Sequence, residues 1–414
     1  MGVEILPIKQ RMRWMRETIA ERLDTVLPAA MRAADLDCWL VLCQEDNEDP
    51  VFRTLIPPDA WCPILQILAF FDHGDRVERV SFAMTGTGGL YEQPWTGRDS
   101  AEQWALLAGW LAERQPRRIG LNIGSVQWAA GGLTHNLYTQ LGAAVGESMV
   151  ARFVSAEPLV VHWMATLTAR QIDAFETTVS MAHEILAHCL SDEVIEPDRT
   201  STEDLEWYYW QTAVDLGLEL SFRPFFRTIR SDEAKARYGA EDRVIRCGDL
   251  VHSDVGIRYL GLCSDHQRVA YVRRPGEQAA PASWLALFDE AHRLQDCFCA
   301  EFVAGLSGDE LLSRILGRAR AEGVASPKVY SHSLGHLLHE PGPLIGLPWQ
   351  QDGVPGRGDV RLGDGMAFTM ELSVTGPIAE WGGQVATLPL EEDVVFSQGR
   401  CSVVDGRQET FYLI

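Results

Sequence analysis

The sequence predicts a two-part mixed α/β (α+β) protein, a smaller α/β domain over residues 1–160 followed by a larger domain over 161–414. Three observations carry this. The first 160 residues alternate helical periodicity with short apolar strands, two amphipathic helices follow, and the rest is strand-like sequence rich in Val, Ile, Leu and Tyr and bordered by glycine. A length of 414 residues suits two to three domains with a large core. Hydrophobic content of 46% and charged content of 23% are those of an ordinary globular chain.

In order along the chain, residues 8–36 predict a helix, and DCWLVLC and LQILAFF read as buried strands. Helices near 101–113 and 133–143 then alternate with the short strands RIGLNI and VARFV. The helix TARQIDAFETTVSMAHEILAHCL starts after a capping Thr168 and repeats Ile172, Phe175, Val179, Ala182 and Leu186 at helical spacing, a stripe that must pack on a sheet. TSTEDLEWYYWQTAVDLG opens with a capping box at Thr200 and Glu203 and stops at Gly217.

The chemistry lies further on. In GDLVHSDVGIRYLGLCSDHQRVAYV, a hairpin turning at Tyr259 and Leu260 would set Asp254 directly opposite Asp265, with Cβ atoms about 5 Å apart. Carboxylates that close repel unless a cation lies between them, and two divalent ions about 3.5 to 4 Å apart use such a pair productively. A solvated hairpin face carrying two acids is the plain alternative. Downstream come YSHSLGHLLHEPGP, GMAFTMELSV and LPLEEDVVF. Glu371 follows the apolar residues Met366, Phe368 and Met370 of a buried strand, where a carboxylate is rarely left unpaired. An imidazole with several carboxylates suits Mn, Co, Zn or Fe.

From about Arg170 to the C-terminus the chain resembles the pita-bread metallopeptidases, the family of methionine aminopeptidase, Xaa-Pro aminopeptidase, prolidase and creatinase. DVGIRYLGLCSD is similar to their aspartate hairpin, ELSV to the strand of their first glutamate and EEDVVF to that of their second. The resemblance implies a pita-bread domain behind a creatinase-like N-terminal domain, and two divalent metal ions held in the order Asp254, Asp265, His332, Glu371 and Glu392. His332 is chosen over His336 because the family histidine is followed seven residues later by a substrate-contacting one, here His339; His336 inherits no role. Glu391 and Glu392 are adjacent, and Glu392 is preferred because the following Asp matches the family's Glu-Asp pattern. Asp265 and Glu392 would bridge the ions, Glu371 would act as general base and then acid, and His339 would hydrogen-bond the substrate carbonyl or its oxyanion.

The implied activity is hydrolysis of an amide, release of an N-terminal residue from a small peptide of Xaa-Pro type, by a homodimer. Two departures stand against the details. AKARYGAEDRVIRCGD holds no histidine where methionine aminopeptidases have one, and position 390 is Leu where proline-specific members have arginine. The chain also inserts IGLPWQQDGVPGRGD, a loop carrying Trp349 and Arg357 that either shapes the substrate pocket or is a surface excursion. A creatinase-like or ectoine-hydrolase-like small-amide hydrolase, a biosynthetic enzyme reusing the site, and a non-catalytic peptide-binding module are the alternatives.

The excess of 58 acidic over 36 basic residues, a net charge of −22, disfavours nucleic acid and anionic membranes as partners. No apolar run reaches the roughly 18 residues of a membrane span, and MGVEILPIKQRMRWM lacks a signal-peptide core, so a cytoplasmic location is expected. Nine cysteines without zinc-type spacing agree with a reducing compartment. HEILAH resembles a zinc-protease motif but is one residue too long, placing His183 and His188 about 140° apart on a helix. The Trp207 and Trp210 cluster is read as core or dimer contact, and His252 as a satisfied buried histidine.

Overall fold

The computed structural model describes residues 4–95, 97 and 99–414. They form two compact units, one of Leu6–Thr168 and one of Ala169–Ile414 with Glu4 and Ile5. The division falls at Thr168 rather than near 160 because the helix Glu157–Ala165 belongs to the first unit. Its Leu159, Val160, Trp163 and Met164 are buried there, and Arg22 donates to the Thr166 carbonyl at 2.6 Å while lying 4.3 Å over the Trp163 ring.

The first unit is a five-stranded sheet in the order β3-β2-β1-β4-β5. Its strands are β1 (Cys38–Gln44), β2 (Leu65–Asp72), β3 (Val77–Ser81), β4 (Ile119–Leu121) and β5 (Phe153–Ser155). Antiparallel pairing joins β1 to β2 and parallel pairing joins β1 to β4, with helices α1 (Ile8–Ala33), α2 (Ser100–Arg114), α3 (His135–Val145), α4 (Glu147–Val150) and α5 (Glu157–Ala165) between and around them. The continuous apolar runs foreseen for β1 and β2 are buried along nearly their whole length, as strands covered on both faces must be.

The second unit begins with α6 (Ala169–Cys189) and α7 (Thr202–Asp215). The predicted stripe of α6 is buried at Phe175, Val179, Ala182 and Leu186, with Ile172 at its edge. Ala182 and Leu186 continue into a core formed with Leu205 and Tyr209 of α7 and with Phe226, Val251 and Ile257. The capping box of α7 is Ser201 with Asp204, one residue later than expected. Thr200 is engaged instead in the preceding turn, where its hydroxyl accepts from Glu196 N at 2.9 Å. Trp207 and Trp210 stack at 5.7 Å on the exposed side of α7 and are not core.

After β6 (Glu219–Leu220), β7 (Phe225–Ile229) and α8 (Asp232–Tyr238) come β8 (Leu250–Asp254), β9 (Ile257–Tyr259), β10 (Leu262–Cys263) and β11 (Val269–Tyr271). The hairpin exists, but it turns at Leu260 and Gly261, both at positive φ, and Tyr259 pairs with Leu262. Val255 then faces His266 and His252 faces Val269, so Asp254 and Asp265 are diagonal rather than directly opposed. Their side chains stay on one face because the register moved by two residues, a full side-chain period. Gly256 is required between them: a Cβ there would lie 2.0 Å from the Ser264 carbonyl oxygen.

Two helices, α9 (Ala282–Ala300) and α10 (Gly308–Ala321), precede the main sheet, ordered β13-β12-β14-β15-β16. Its members are β12 (Lys328–Leu334), β13 (Leu344–Ile345), β14 (Met366–Ile378), β15 (Gln384–Ser397) and β16 (Arg400–Val403), and β17 (Tyr412–Leu413) pairs with β11. In the long β14–β15 hairpin Glu371 pairs with Glu391 and Met370 with Glu392. No helix among the described residues is long and apolar enough to cross a membrane.

Candidate metal centre

Side-chain alternation across the main sheet decides which groups meet. Tyr330 pairs with Glu371, and Glu371 with Glu391, so Tyr330, His332, Glu371 and Glu391 share one face. Glu392 is on the other face with Met370, where Cys299 of α9 lies 3.9 Å from the Met370 sulfur. A bridge between Gln267 and Glu391 brings the aspartate hairpin alongside β15 on the first face. Ligand atoms of Asp265, His332 and Glu391 consequently lie within 4.8 Å of one another, with His332 Nε2 3.6 Å from an Asp265 carboxylate oxygen.

This corrects the expectation for the last ligand. Glu391, fully buried, joins Asp254, Asp265, His332 and Glu371, whereas Glu392 accepts from Arg268 at 2.8 Å and from the Gln408 backbone at 2.6 Å. The physical reason is the two-residue period of a strand: adjacent glutamates cannot face the same side, and the register set by the 379–383 turn gives that side to Glu391.

The electrostatics are those of an anionic cage. Burial, aided by mutual repulsion, raises every carboxyl in it. Asp254 is pushed up to about 6 and Glu371 to about 7, in both cases chiefly by burial. Asp265 and Glu391 are raised well beyond the carboxylate range by burial and then by their acidic neighbours. Asp265 Oδ1 and Glu391 Oε1 are buried without a hydrogen-bond partner. His332 Nδ1 lies 3.1 Å from the Ser333 carbonyl, to which it must donate, so the imidazole presents a bare Nε2 to the carboxylates. Burial, with His339 and Arg357 adding, lowers His332 to about 3 and keeps it neutral. Four carboxylates and one neutral imidazole, with two buried carboxylate oxygens left without a partner, are a donor set that fits divalent metal.

A profile of metallopeptidase family M24 matches residues 173–397, more than half of the chain. The chain belongs to metallopeptidase family M24. Among curated proteins, "Uncharacterized peptidase YqhT" of Bacillus subtilis (strain 168) is 30% identical over 162 residues, 38% of this chain and 40% of that protein's length. Solved structures extend the likeness of fold to nearly the whole chain. An X-Pro aminopeptidase from Thermotoga maritima MSB8 superposes with a TM-score of 0.65 at 16% identity, covering 93% of this chain and 100% of that one. An Xaa-Pro dipeptidase from Bacillus anthracis gives 0.62 at 18%, covering 96% and 100%. The mixed α/β, two-domain pita-bread arrangement is thus that of M24 structures.

Residues around the M24 site support it in ways the sequence did not reveal. Arg227 Nε donates to His252 Nδ1 at 3.2 Å, which leaves Nε2–H to donate to Gln267 Oε1 at 2.9 Å; Gln267 Nε2 then donates to Glu391 Oε2 at 2.7 Å. His252 is therefore satisfied and neutral, and burial pushes it down to about 3. Such outer partners orient a ligand carboxylate. Gln267→Leu should weaken metal binding by about 10- to 100-fold with little change in folding, read by metal titration and circular dichroism. Toward the mouth, His339 is exposed with its ring 4.5 Å from that of His332, and the charge of Arg357 reaches both imidazoles. His336 lies 3.1 Å from Gln171 Nε2.

Metal removal has a signed consequence. A carboxyl raised in the folded chain keeps its proton there, so folding of metal-free protein is favoured at low pH and opposed once the unfolded carboxylate ionises. The window runs upward from the ordinary values of 3.8 and 4.5 to the folded values of about 6 and 7 for Asp254 and Glu371. The Tm of chelator-treated protein should therefore fall as pH rises through this window, and the stabilisation by added metal should widen across it. A metal-independent Tm profile would contradict the cage.

Proposed function

We propose that this M24 protein is a dinuclear metal-dependent exopeptidase that releases the N-terminal residue of a dipeptide or short peptide, with Xaa-Pro substrates as the leading class. The observation that carries the reading is the convergence of Asp254, Asp265, His332, Glu371 and Glu391 around orphaned carboxylate oxygens. Bound divalent ions would polarise the scissile carbonyl and make water acidic enough to lose a proton near neutrality.

The remaining steps belong to the chain. Glu371, mostly buried but partly open at the rim of the cage, would take the proton of the attacking water and return it to the departing amine. His339, beside His332, is placed to donate to the oxyanion. The inserted loop supplies Arg357, half-buried and close enough to Tyr330, His332 and His339 for its charge to be felt by all three. This favours the pocket-shaping reading of the loop, with the guanidinium recognising the free carboxylate of a short substrate. With Glu391 as the last ligand, the position two residues before it is Pro389, so no arginine arises from that strand either.

The test is a panel of dipeptides and tripeptides, with and without proline second, offered to metal-stripped protein reloaded with Mn, Co or Zn. Metal-dependent release of the first residue supports the reading; two bound ions without cleavage of any peptide would move the search to other small amides. Arg357→Met should raise KM for a dipeptide by about 10-fold or more, and much less for its C-terminal amide. Equal effects on acid and amide would remove carboxylate recognition from Arg357.

A further inference from the structure

We infer a third, separate metal site on the opposite face of β15, formed by His183, His266 and Glu392. Ligand atoms of the three lie within 4.8 Å of one another, and the three residues come from α6, from the extended segment between β10 and β11 and from β15. All are buried, His266 and Glu392 completely.

The site has the parts a transition-metal centre needs. His183 Nδ1 lies 2.8 Å from Asp405 Oδ2 and 3.3 Å from Arg268 Nη2; the shorter contact, to a carboxylate that only accepts, makes Nδ1 the donor and turns Nε2 toward Glu392 Oε2 at 3.4 Å. A carboxylate holding the far nitrogen of an imidazole is the usual support for a metal-binding histidine. The His266 ring is 4.5 Å from that of His183, and its two nitrogens, like His183 Nε2, are buried without a hydrogen-bond partner. Three buried ring nitrogens without a hydrogen-bond partner are costly, and a shared cation removes part of that cost.

His266 Nε2 also lies 3.5 Å from Asp393 Oδ2, so the acidic side chain next to Glu392 faces the same cluster. Arg268, at 2.8 Å from Glu392 and also bound to Tyr412 and the Gly406 carbonyl, anchors the glutamate from the side. Two imidazoles and one carboxylate select Zn²⁺ or Co²⁺ over Mg²⁺ or Ca²⁺. HEILAH thus contributes one ligand, His183, while His188 is held elsewhere by Tyr208 at 2.7 Å.

The test is metal content by mass spectrometry after loading the full chain with Co²⁺ and removing excess ion. His266→Phe and His183→Gln should each hold one ion fewer than the parent, and loss of one absorption component of tetrahedral Co²⁺ should accompany it. Equal metal content in parent and folded variants overturns the site. Should both variants fail to fold, anomalous scattering from parent crystals decides: a Co²⁺ peak between His183 and His266 supports the site, and its absence from a chain loaded at the Asp265 centre overturns it.

Discussion

Glu391→Gln should lower kcat/KM by about 10³-fold or more, while Glu392→Gln should keep turnover within about tenfold of the parent and lose stability instead. The two residues are adjacent, equally buried and chemically identical, so the contrast isolates which way each points. Glu391 is on the face of Glu371 and His332 and is oriented by Gln267. Its neutral amide would withdraw one anionic ligand from the centre. Glu392 is on the other face and neutralises Arg268 at 2.8 Å. Removing one partner of a buried ion pair costs about 3–5 kcal/mol, because the remaining charge is left without compensation. Steady-state kinetics beside thermal denaturation reads both effects. The reverse pattern, an inert Glu392→Gln with full stability and an active Glu391→Gln, would return the ligand role to Glu392.

Glu371→Gln should lower kcat by about 10²- to 10⁴-fold with KM changed only a few-fold, the size expected for loss of a general base that also turns acid. The prediction rests on position and environment. Glu371 is at the partly exposed rim, where water can reach it, while Asp265 and Glu391 are at the closed base. Burial holds its carboxyl up at about 7 before any ion binds, so it is the cage's most readily protonated rim group. Metal content should be measured on the same samples. Full metal content with lost turnover assigns the proton role to Glu371; loss of metal in proportion to loss of turnover leaves it a ligand alone.

Much of this was legible along the chain. The α6 stripe, the buried runs of β1 and β2, and the acid-histidine pattern with its M24 resemblance each follow from local spacing, because apolar periodicity and ligand order are properties of consecutive residues. Asp265 and His332 come together with Glu391, and the charges of Asp254 and Glu371 reach Asp265. The choice between Glu391 and Glu392 was not legible, since it depends on where β14 and β15 turn, and a one-residue change of register exchanges the faces. The hairpin shift from Tyr259–Leu260 to Leu260–Gly261 has the same origin, yet spared the aspartate pair because it moved the pairing by two.

For other groups the partners had no sequence signal. His252, Gln267 and Arg227 become a donor chain only when β7, β8 and the segment before β11 lie side by side. His183 and His266, 83 positions apart, meet beside Glu392 only because α6 packs against the β9–β10 hairpin that leads into His266. The sequence by itself determined the family and the fold class, which local chemistry and order encode. The tertiary structure alone decided which face each carboxylate takes and which distant side chains orient it, because strand register and helix packing are settled by burial of whole surfaces, not by any short run of residues.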